Sequence, residues 1–595
     1  LTLNSKKMKR FNNITKLTAI ALGSILALSS CKPDLISLNG PSTGAFPANA
    51  KEAEMGLFGA YQNISKLDAA STPMWHVMDN ITDIGFARPG TNYTSPITSA
   101  ITTDNALTNK PWQVHYQTIA RCHTVLDNLG KLKSSMAENA YKQLDAELRF
   151  VRAYCYSQLI ELYGAVPLLK QSVDLSNASV PRTPKAEIEQ FLLDELTAIA
   201  DNLPISQAQF GNVRGSRVAA YMLKARVALY AKKYKDAAVA ANTALTLANG
   251  VHDLTPFNST INSVGKDHTV AEPDLSNIFG HAGFKTSKEW IWVAEYNMNV
   301  PGNTHNQQYY SASRLGKGVC YWGPTQDLIN TFQAKDGLPI TESPLYDASK
   351  PFENRDPRLD MYCARPHMRY VGYQFEPATS FGTVKNYWPV INGQATTAPS
   401  VANADATNAF RSFSGYLWRK PIDLADFNST SVSGVSDLDV GIFRFAELLL
   451  IYAEAKIEDN DLDNTVYEAI NKIRRRAQMP ELPTGLTQAQ LRKALRYERK
   501  VELANDGLRW YDLRRWDIAK TVMNGYIYLN RDAKAWTKDV LTGFDESYTP
   551  IYNRTEAVKY FTTQEVVYKV NKDEYWPVPK SEMDANKNLK QNDGY

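Results

Sequence analysis

Residues Ala219–Ala248 read AAYMLKARVALYAKKYKDAAVAANTALTLA, two apolar-periodic runs separated by Lys232-Lys233-Tyr234. Within each run, small and apolar residues return every three or four positions, the repeat of an amphipathic helix. Ala225, Ala237 and Ala244 stand where two antiparallel helices would cross, and small side chains there let the backbones approach closely. Tyr234, three residues before Ala237, fills the turn. The spacing matches one tetratricopeptide (TPR) repeat, a helix–turn–helix of about 34 residues. One such hairpin buries too little apolar surface to be stable alone, so partner helices are expected elsewhere in the chain.

Helical patterning recurs on both sides of this hairpin. Before it, the pattern covers Glu52 to Ile64, Trp112 to Leu129, Leu144–Tyr163 (stopped by Gly164 and Pro167) and Ala186–Leu203. After it, the pattern returns at Gly441–Lys456, Thr465–Ala477, Gln488–Asp506 and Tyr511–Met523. Between these groups, from Gly250 to about Val440, the periodicity fades. Gly, Pro, Asn, Ser and Thr punctuate short aromatic runs such as Trp290-Ile291-Trp292 and Tyr321-Trp322, the pattern of short strands and turns. Ala70–Lys110 is also without periodicity, and so long a loop in a compact domain is usually functional. The expected fold is mainly α, a TPR-like helical-repeat scaffold with a large irregular, loop-rich and short-strand insertion. Residues 31–250 form its N-terminal helical region and 251–595 its C-terminal region.

Composition narrows the class. Of 595 residues, 44% are hydrophobic and 22% charged, a globular balance. The net charge is only +4 and no basic stripe stands out beyond Arg474-Arg475-Arg476, so nucleic acid is not an expected partner. At the N-terminus Lys6, Lys7, Lys9, Arg10 and Lys16 precede the apolar run Leu17–Leu28, followed by Ser29, Ser30 and Cys31. This is a secretory signal over residues 1–30, too short to span about 30 Å of hydrocarbon. Leu28-Ser29-Ser30-Cys31 is similar to a bacterial lipobox, in which the cysteine receives diacylglycerol and becomes the new N-terminus. Lys32–Ala50, rich in Pro, Ser, Gly and Asn, reads as a tether. Of the other cysteines, Cys122 and Cys155 fall in helical patterns as buried thiols, and Cys320 and Cys363 could pair in an oxidising compartment.

Catalytic motifs are scarce. There is no HExxH, Walker loop or GxGxxG. Asp459, Asp461 and Asp463 begin a calcium-loop spacing, but Asn464 and Ile470 occupy the positions where such a loop needs a sharp turn and a bidentate carboxylate; a solvated turn is the expected reading. Arg496–Trp516, dense in Arg, Glu and Asp, reads as buried ion pairs locking helices to the tail rather than as acid–base machinery. Paired glycosidase carboxylates come from distant positions, so motif absence alone leaves an enzyme open.

Six marks in order resemble the SusD/RagB family: the lipobox; AELRFVRAYCYSQLIELYGAVPLL at Ala146–Leu169; NRDPRL at Asn354–Leu359; RFAELLLIYAEAKIE at Arg444–Glu458; RYERKVELANDGLRWYDLRRW at Arg496–Trp516; and the closing WPVPKSEMDANKNLKQNDGY from Trp576. The departures are Asn505-Asp506, where the family more often has Phe-Glu, and Asp593, where Pro is usual. The resemblance implies a lipid-anchored protein of the outer membrane that is not an enzyme and uses no cofactor or metal. It would hold an oligosaccharide against a SusC-like TonB-dependent transporter. Alternatives are a TPR lipoprotein that binds peptide or protein, and a secreted glycoside hydrolase.

Sugar rings pack a C–H face on aromatic rings while their hydroxyls seek polar partners. Aromatic residues in the two irregular regions therefore define the expected site: Trp75, Tyr93, Tyr309, Tyr310, Tyr321 and Trp322, with Asn306 and Arg314 as polar neighbours and Asn92 and Gln307 nearby. Trp75 and Trp322 are the expected main platforms and Tyr310 the third. For each ring, core packing is the competing role. Trp112, Trp510, Trp516 and Trp576 lie in scaffold patterns and are assigned to packing.

Overall fold

The computed structural model describes residues 46–65, 73–174, 178–257, 272–388, 390–391, 394–395, 399–420, 422–427, 435–531 and 540–595. Residues 1–30 and Cys31 lie outside them. The long helices are α1 (Ala50–Ser65), α2 (Ala106–Leu129), α3 (Glu138–Tyr163), α4 (Lys185–Ala200), α5 (Arg217–Tyr230), α6 (Tyr234–Ala248), α7 (Phe445–Glu458), α8 (Asn464–Arg476) and α9 (Gln488–Glu502). Each of α1 to α8 packs on the next, and α9 packs on α7. The step from α6 to α7 joins helices separated by the whole irregular region. One continuous apolar core runs from Ala53 to Leu589.

The hairpin forms as its sequence directs. Ser216 Oγ accepts the Ala219 N–H at 3.1 Å and caps α5, and Lys232, at φ +58°, turns the chain toward α6. Ala225, Ala237 and Ala244 are fully buried. The tail closes over the end of α3: Trp576 N–H donates to Leu162 O at 2.7 Å, and Asn592 Nδ2 donates to Tyr163 O at 3.0 Å.

Several boundaries differ from the periodicity. The Ala70–Lys110 stretch contains a helix, Met74–Asn80, and a strand, and α2 begins at Ala106 behind an Asn105 cap. Gly441, Ile442 and Phe443 are strand rather than helix. A Cβ on Gly441 would lie 1.8 Å from the Trp290 ring, so only glycine admits this strand beneath the indole. The expected Gln488–Asp506 helix stops at Glu502, where Asn505 (φ +64°) and Gly507 (φ +80°) reverse the chain. Tyr511–Met523 divides into Arg509–Arg515 and Ala519–Val522, parted at Asp517 (φ +57°). Among the described residues the strands form two-stranded antiparallel pairs. Four matter here: β1 (Gly85–Ala87), β2 (Trp290–Ala294), β3 (Trp322–Pro324) and β4 (Val440–Arg444); β1 pairs with β3 and β2 with β4. Cys320 and Cys363 are separate buried thiols, not a disulfide; Cys363 lies in a strand paired with Trp418, whereas Cys320 Sγ points at Ala312 O, 3.3 Å away. Asp463 caps α8 through Thr465 N–H at 2.9 Å, and Lys456 Nζ lies 2.9 Å from Asp461 and 2.6 Å from Asp463.

The Arg496–Trp516 block is a buried ion network. Glu502 meets Arg358 (3.3 Å), Arg444 (2.6 Å) and Arg476. Arg444 and Arg476 also share Glu289, at 2.5 and 2.9 Å. Glu498 binds Arg358 at 2.9 Å, and Arg474 as well. Lys500 and Arg509 hold Asp83 at 3.1 and 2.8 Å. The partners are thus the NRDPRL segment, β4, α8 and the approach to β1, more than the tail. Burial alone would raise the Glu502 carboxyl, but Arg476, Arg444 and Arg358 outweigh it and hold the group well below the usual carboxylate range.

Two outcomes are expected. Ala237→Trp overpacks the α5–α6 crossing and destabilises by about 1–3 kcal/mol; an unchanged melting temperature would show that Ala237 faces no partner helix. Glu502→Gln removes the carboxylate shared by Arg358, Arg444 and Arg476, leaving their buried charge under-compensated by Glu289, Glu498, Asp356 and Asp506, and destabilises by about 3–5 kcal/mol at neutral pH. Because the folded-state value is depressed, Glu502 contributes its stability above about pH 4 and loses it as pH falls toward the depressed value. The variant's melting temperature should therefore fall less steeply on acidification than the wild type's.

Candidate functional site

Most of the aromatic residues singled out in the sequence converge. The helical turn Gln307–Ser311 carries Tyr309 and Tyr310, and the chain then returns alongside it: Val319 N–H donates to Tyr309 O at 2.9 Å and Tyr321 N–H to Tyr310 O at 2.7 Å. This return places Tyr321 flat on Tyr310, with ring centroids 4.8 Å apart and planes 9° from parallel. Tyr309 lies 5.8 Å from Tyr310, and Asn306 Nδ2 donates to Tyr310 Oη at 3.3 Å. Arg88 N–H donates to Tyr321 O at 2.8 Å, extending the β1–β3 pairing by one residue.

Successive strand residues point to opposite faces, and that pleat separates Tyr321 from Trp322. Tyr321 is half-buried, while Trp322 is 1% exposed. Trp322 packs edge-on against Tyr93 at 4.5 Å and against Tyr310 at 5.8 Å. Tyr93 is buried as well. Both support the site from below, correcting the reading of Trp322 as a platform. Trp75 is elsewhere. It sits in the Met74–Asn80 helix, its indole N–H donates to Tyr154 Oη at 3.1 Å, and with Gln307, Trp290 and Lys420 it lines a void of only about 30 Å³. Trp112, Trp510 and Trp576 are buried, and Trp516 Nε1 donates to Glu454 at 2.7 Å.

The face continues through residues the sequence did not single out. Phe410, 41% exposed, lies 6.5 Å from Tyr321. The Arg88 guanidinium stands over Phe410 at 4.9 Å and over Phe413 at 4.6 Å. Arg314 is 6.0 Å from the Phe410 ring, and Arg531 is 4.6 Å from that of Phe413. Three tyrosine rings therefore lead to Phe410, and from there rings and guanidiniums alternate to Arg531. Arg88 also donates to Ala409 O, and Arg314 to Gly318 O. The available cue was Phe410-Arg411-Ser412-Phe413, an aromatic pair in the same irregular region. Burial holds Arg88 below its ordinary value, with Arg531 acting in the same sense and Cys320 and Tyr321 opposing. Asp405 behind Arg314 is pushed up to about 6 by burial, against backbone bonds from Leu315 and Arg314. Flat rings, phenol hydroxyls and guanidinium donors are groups for recognition.

Two hollows lie apart from this face. One of about 1000 Å³ opens between the end of α6 and α7–α8, lined by Leu245, His252, Phe445, Leu449, Tyr452 and Lys472. Another of about 650 Å³ beside α1 has Phe58 and Phe210 flanking Arg214. No helix among the described residues is long and apolar enough to cross a membrane.

A helical-repeat scaffold presenting an irregular aromatic face is the architecture of a binding protein. The model of the SusD family matches residues 288–595, and one described as starch-binding associating with outer membrane matches residues 53–229. The chain belongs to the SusD family. SusD-like protein P38 of Formosa agariphila is 22% identical over 545 residues, 89% of this chain and 96% of its own length; SusD-like protein P2 of the same organism is 23% identical over 445 residues, 70% and 74%. Among solved structures, a SusD-like carbohydrate binding protein of Bacteroides fragilis superposes with TM-score 0.71 at 24% identity, covering 91% of this chain and 99% of that one. A laminarin binding SusD-like protein gives TM-score 0.57 at 19% identity, covering 92% and 100%. These likenesses show that the fold is shared.

Proposed function

We propose that this protein is a non-catalytic glycan-capturing lipoprotein of the outer membrane, which holds an oligosaccharide on the Tyr309–Tyr310–Tyr321–Phe410 face and passes it to a SusC-like TonB-dependent transporter. Family membership supports the reading, as do the carbohydrate ligands named for its structural neighbours. The observation that carries it is the run of partly exposed rings, Tyr310 stacked on Tyr321 and followed by Phe410. Each such ring contributes on the order of 1 kcal/mol beyond simple burial. A shallow face of this kind binds weakly, which suits a protein that must release its ligand.

Calorimetry against a glycan that the wild type binds tests the site. Tyr321→Ala/Phe410→Ala should weaken binding at least tenfold, since about 1.4 kcal/mol is a decade in affinity. Phe58→Ala/Phe210→Ala, at the hollow beside α1, should leave affinity unchanged. The opposite pattern moves the site to that hollow, and a wild type that binds peptides but no glycan makes this a peptide-capture protein. The anchor has its own test. Cys31→Ala, with melting behaviour retained, should move the protein from the membrane to the soluble fraction, and firm membrane retention after signal removal would refute lipid anchoring at Cys31.

A further inference from the structure

The three arginines on the aromatic face are gathered together without a carboxylate partner. Elsewhere, arginines at comparable partial exposure either meet carboxylates, as Arg149 meets Glu195 at 2.8 Å, Arg365 meets Asp360 at 2.8 Å and Arg492 meets Glu458 at 2.7 Å, or, like Arg182, Arg496 and Arg514, donate to backbone or hydroxyl oxygens. Among the described residues, Arg88, Arg314 and Arg531 have no carboxylate within salt-bridge distance. Yet they are held together, because the Phe410 ring is shared by Arg88 and Arg314 and the Phe413 ring by Arg88 and Arg531. The nearby acid, Asp405, is buried and bound to the Leu315 backbone N–H at 3.2 Å. All three guanidiniums also carry a buried N–H group with no acceptor among the described residues, Nη1 of Arg88, Nε of Arg314 and Nε of Arg531.

A cation over an aromatic face gains about 0.5–2 kcal/mol, which fixes each guanidinium in place but neutralises no charge, and of the three only Arg314 feels a nearby acid among the described residues, the buried Asp405. Like charges gathered in this way repel one another, and packing alone would be served as well by an uncharged side chain. An anionic ligand would remove the repulsion, and the exposed edge of a guanidinium fork matches a carboxylate or similar oxyanion through two parallel hydrogen bonds. Resting on the proposed role of this face in glycan capture, we infer that the glycan is acidic, with carboxylate or sulfate groups recognised by Arg88, Arg314 and Arg531 while its sugar rings lie on the neighbouring aromatics.

The test is calorimetry of the full chain with four oligosaccharides of equal length: an oligogalacturonate, a chondroitin sulfate oligomer, a malto-oligosaccharide and a laminari-oligosaccharide. At least one acidic oligomer should bind ten or more times tighter than either neutral one. That preference should shrink between about 0.05 and 1 M salt as the Debye length contracts. Arg88→Gln should collapse the ratio of acidic to neutral affinity. Arg531→Gln, which disturbs only the Phe413 contact, does the same if Arg88→Gln proves unstable on melting. Preference for one acidic oligomer over the other identifies the anionic group. Equal or tighter binding of a neutral oligomer, still dependent on Tyr321, overturns the acidic assignment and leaves glycan capture standing. An acidic preference that survives both arginine variants overturns the assignment to these side chains. If none of the four binds, the reading of the face itself fails.

Discussion

The Glu502 carboxylate is the constraint on which the C-terminal half depends. Buried completely, it has taken the charge of Arg358, Arg444 and Arg476 out of water with it. Such an assembly is tolerated only when its members are paired, and removal of one strands the others. Arg358 comes from NRDPRL, Arg444 ends β4 immediately before α7, Arg476 ends α8, and Glu502 ends α9. Sequence segments that read as unrelated phrases are thus parts of one charge cluster. Tyr497 adds to it by donating to Asp356 at 2.7 Å, and Lys420 by donating to Glu502 O at 2.9 Å.

That cluster is connected to the aromatic face through covalent and hydrogen-bonded steps. Lys500, two residues before Glu502, reaches Asp83, which Arg509 also grips. Asp83 lies just before β1, Thr325 Oγ1 donates to Asp83 O at 2.6 Å, and β1 pairs with β3. The residue before β3 is Tyr321. A rigid ion network therefore underlies an irregular surface, an arrangement in which loops carry recognition because a fixed scaffold sets their position.

On the surface itself, apolar and charged recognition are interleaved instead of separated. Phe410 and Phe413 serve as spacers between guanidiniums, and the guanidiniums in turn limit the faces those rings offer. Tyr309, Tyr310 and Tyr321 extend the run at the other end with hydroxyl-bearing rings. The result has directionality, phenols at one end and positive charge at the other.

The sequence by itself determined the long helices, because helical burial is a local periodicity: alanines at Ala225, Ala237 and Ala244 state which side meets a neighbour before the neighbour is known. It also located the irregular regions and, within them, Tyr309, Tyr310 and Tyr321, because loss of periodicity is itself local. Only the tertiary structure decided which rings face water. Tyr321 and Trp322 are adjacent and chemically alike, and the pairing of β3 with β1 set which of them the pleat turned inward. Trp75 was drawn into the contact between its own short helix and Tyr154 of α3. Phe410, Arg88 and Arg531 come from three distant segments, and nothing in any one of them specifies the other two. A strand beginning at Val440 where periodicity called for helix follows from the Trp290 ring lying over Gly441. Periodicity records how a residue relates to its own helix or strand; a shared surface records how separate elements were brought together, and that is set by long-range packing and buried charge.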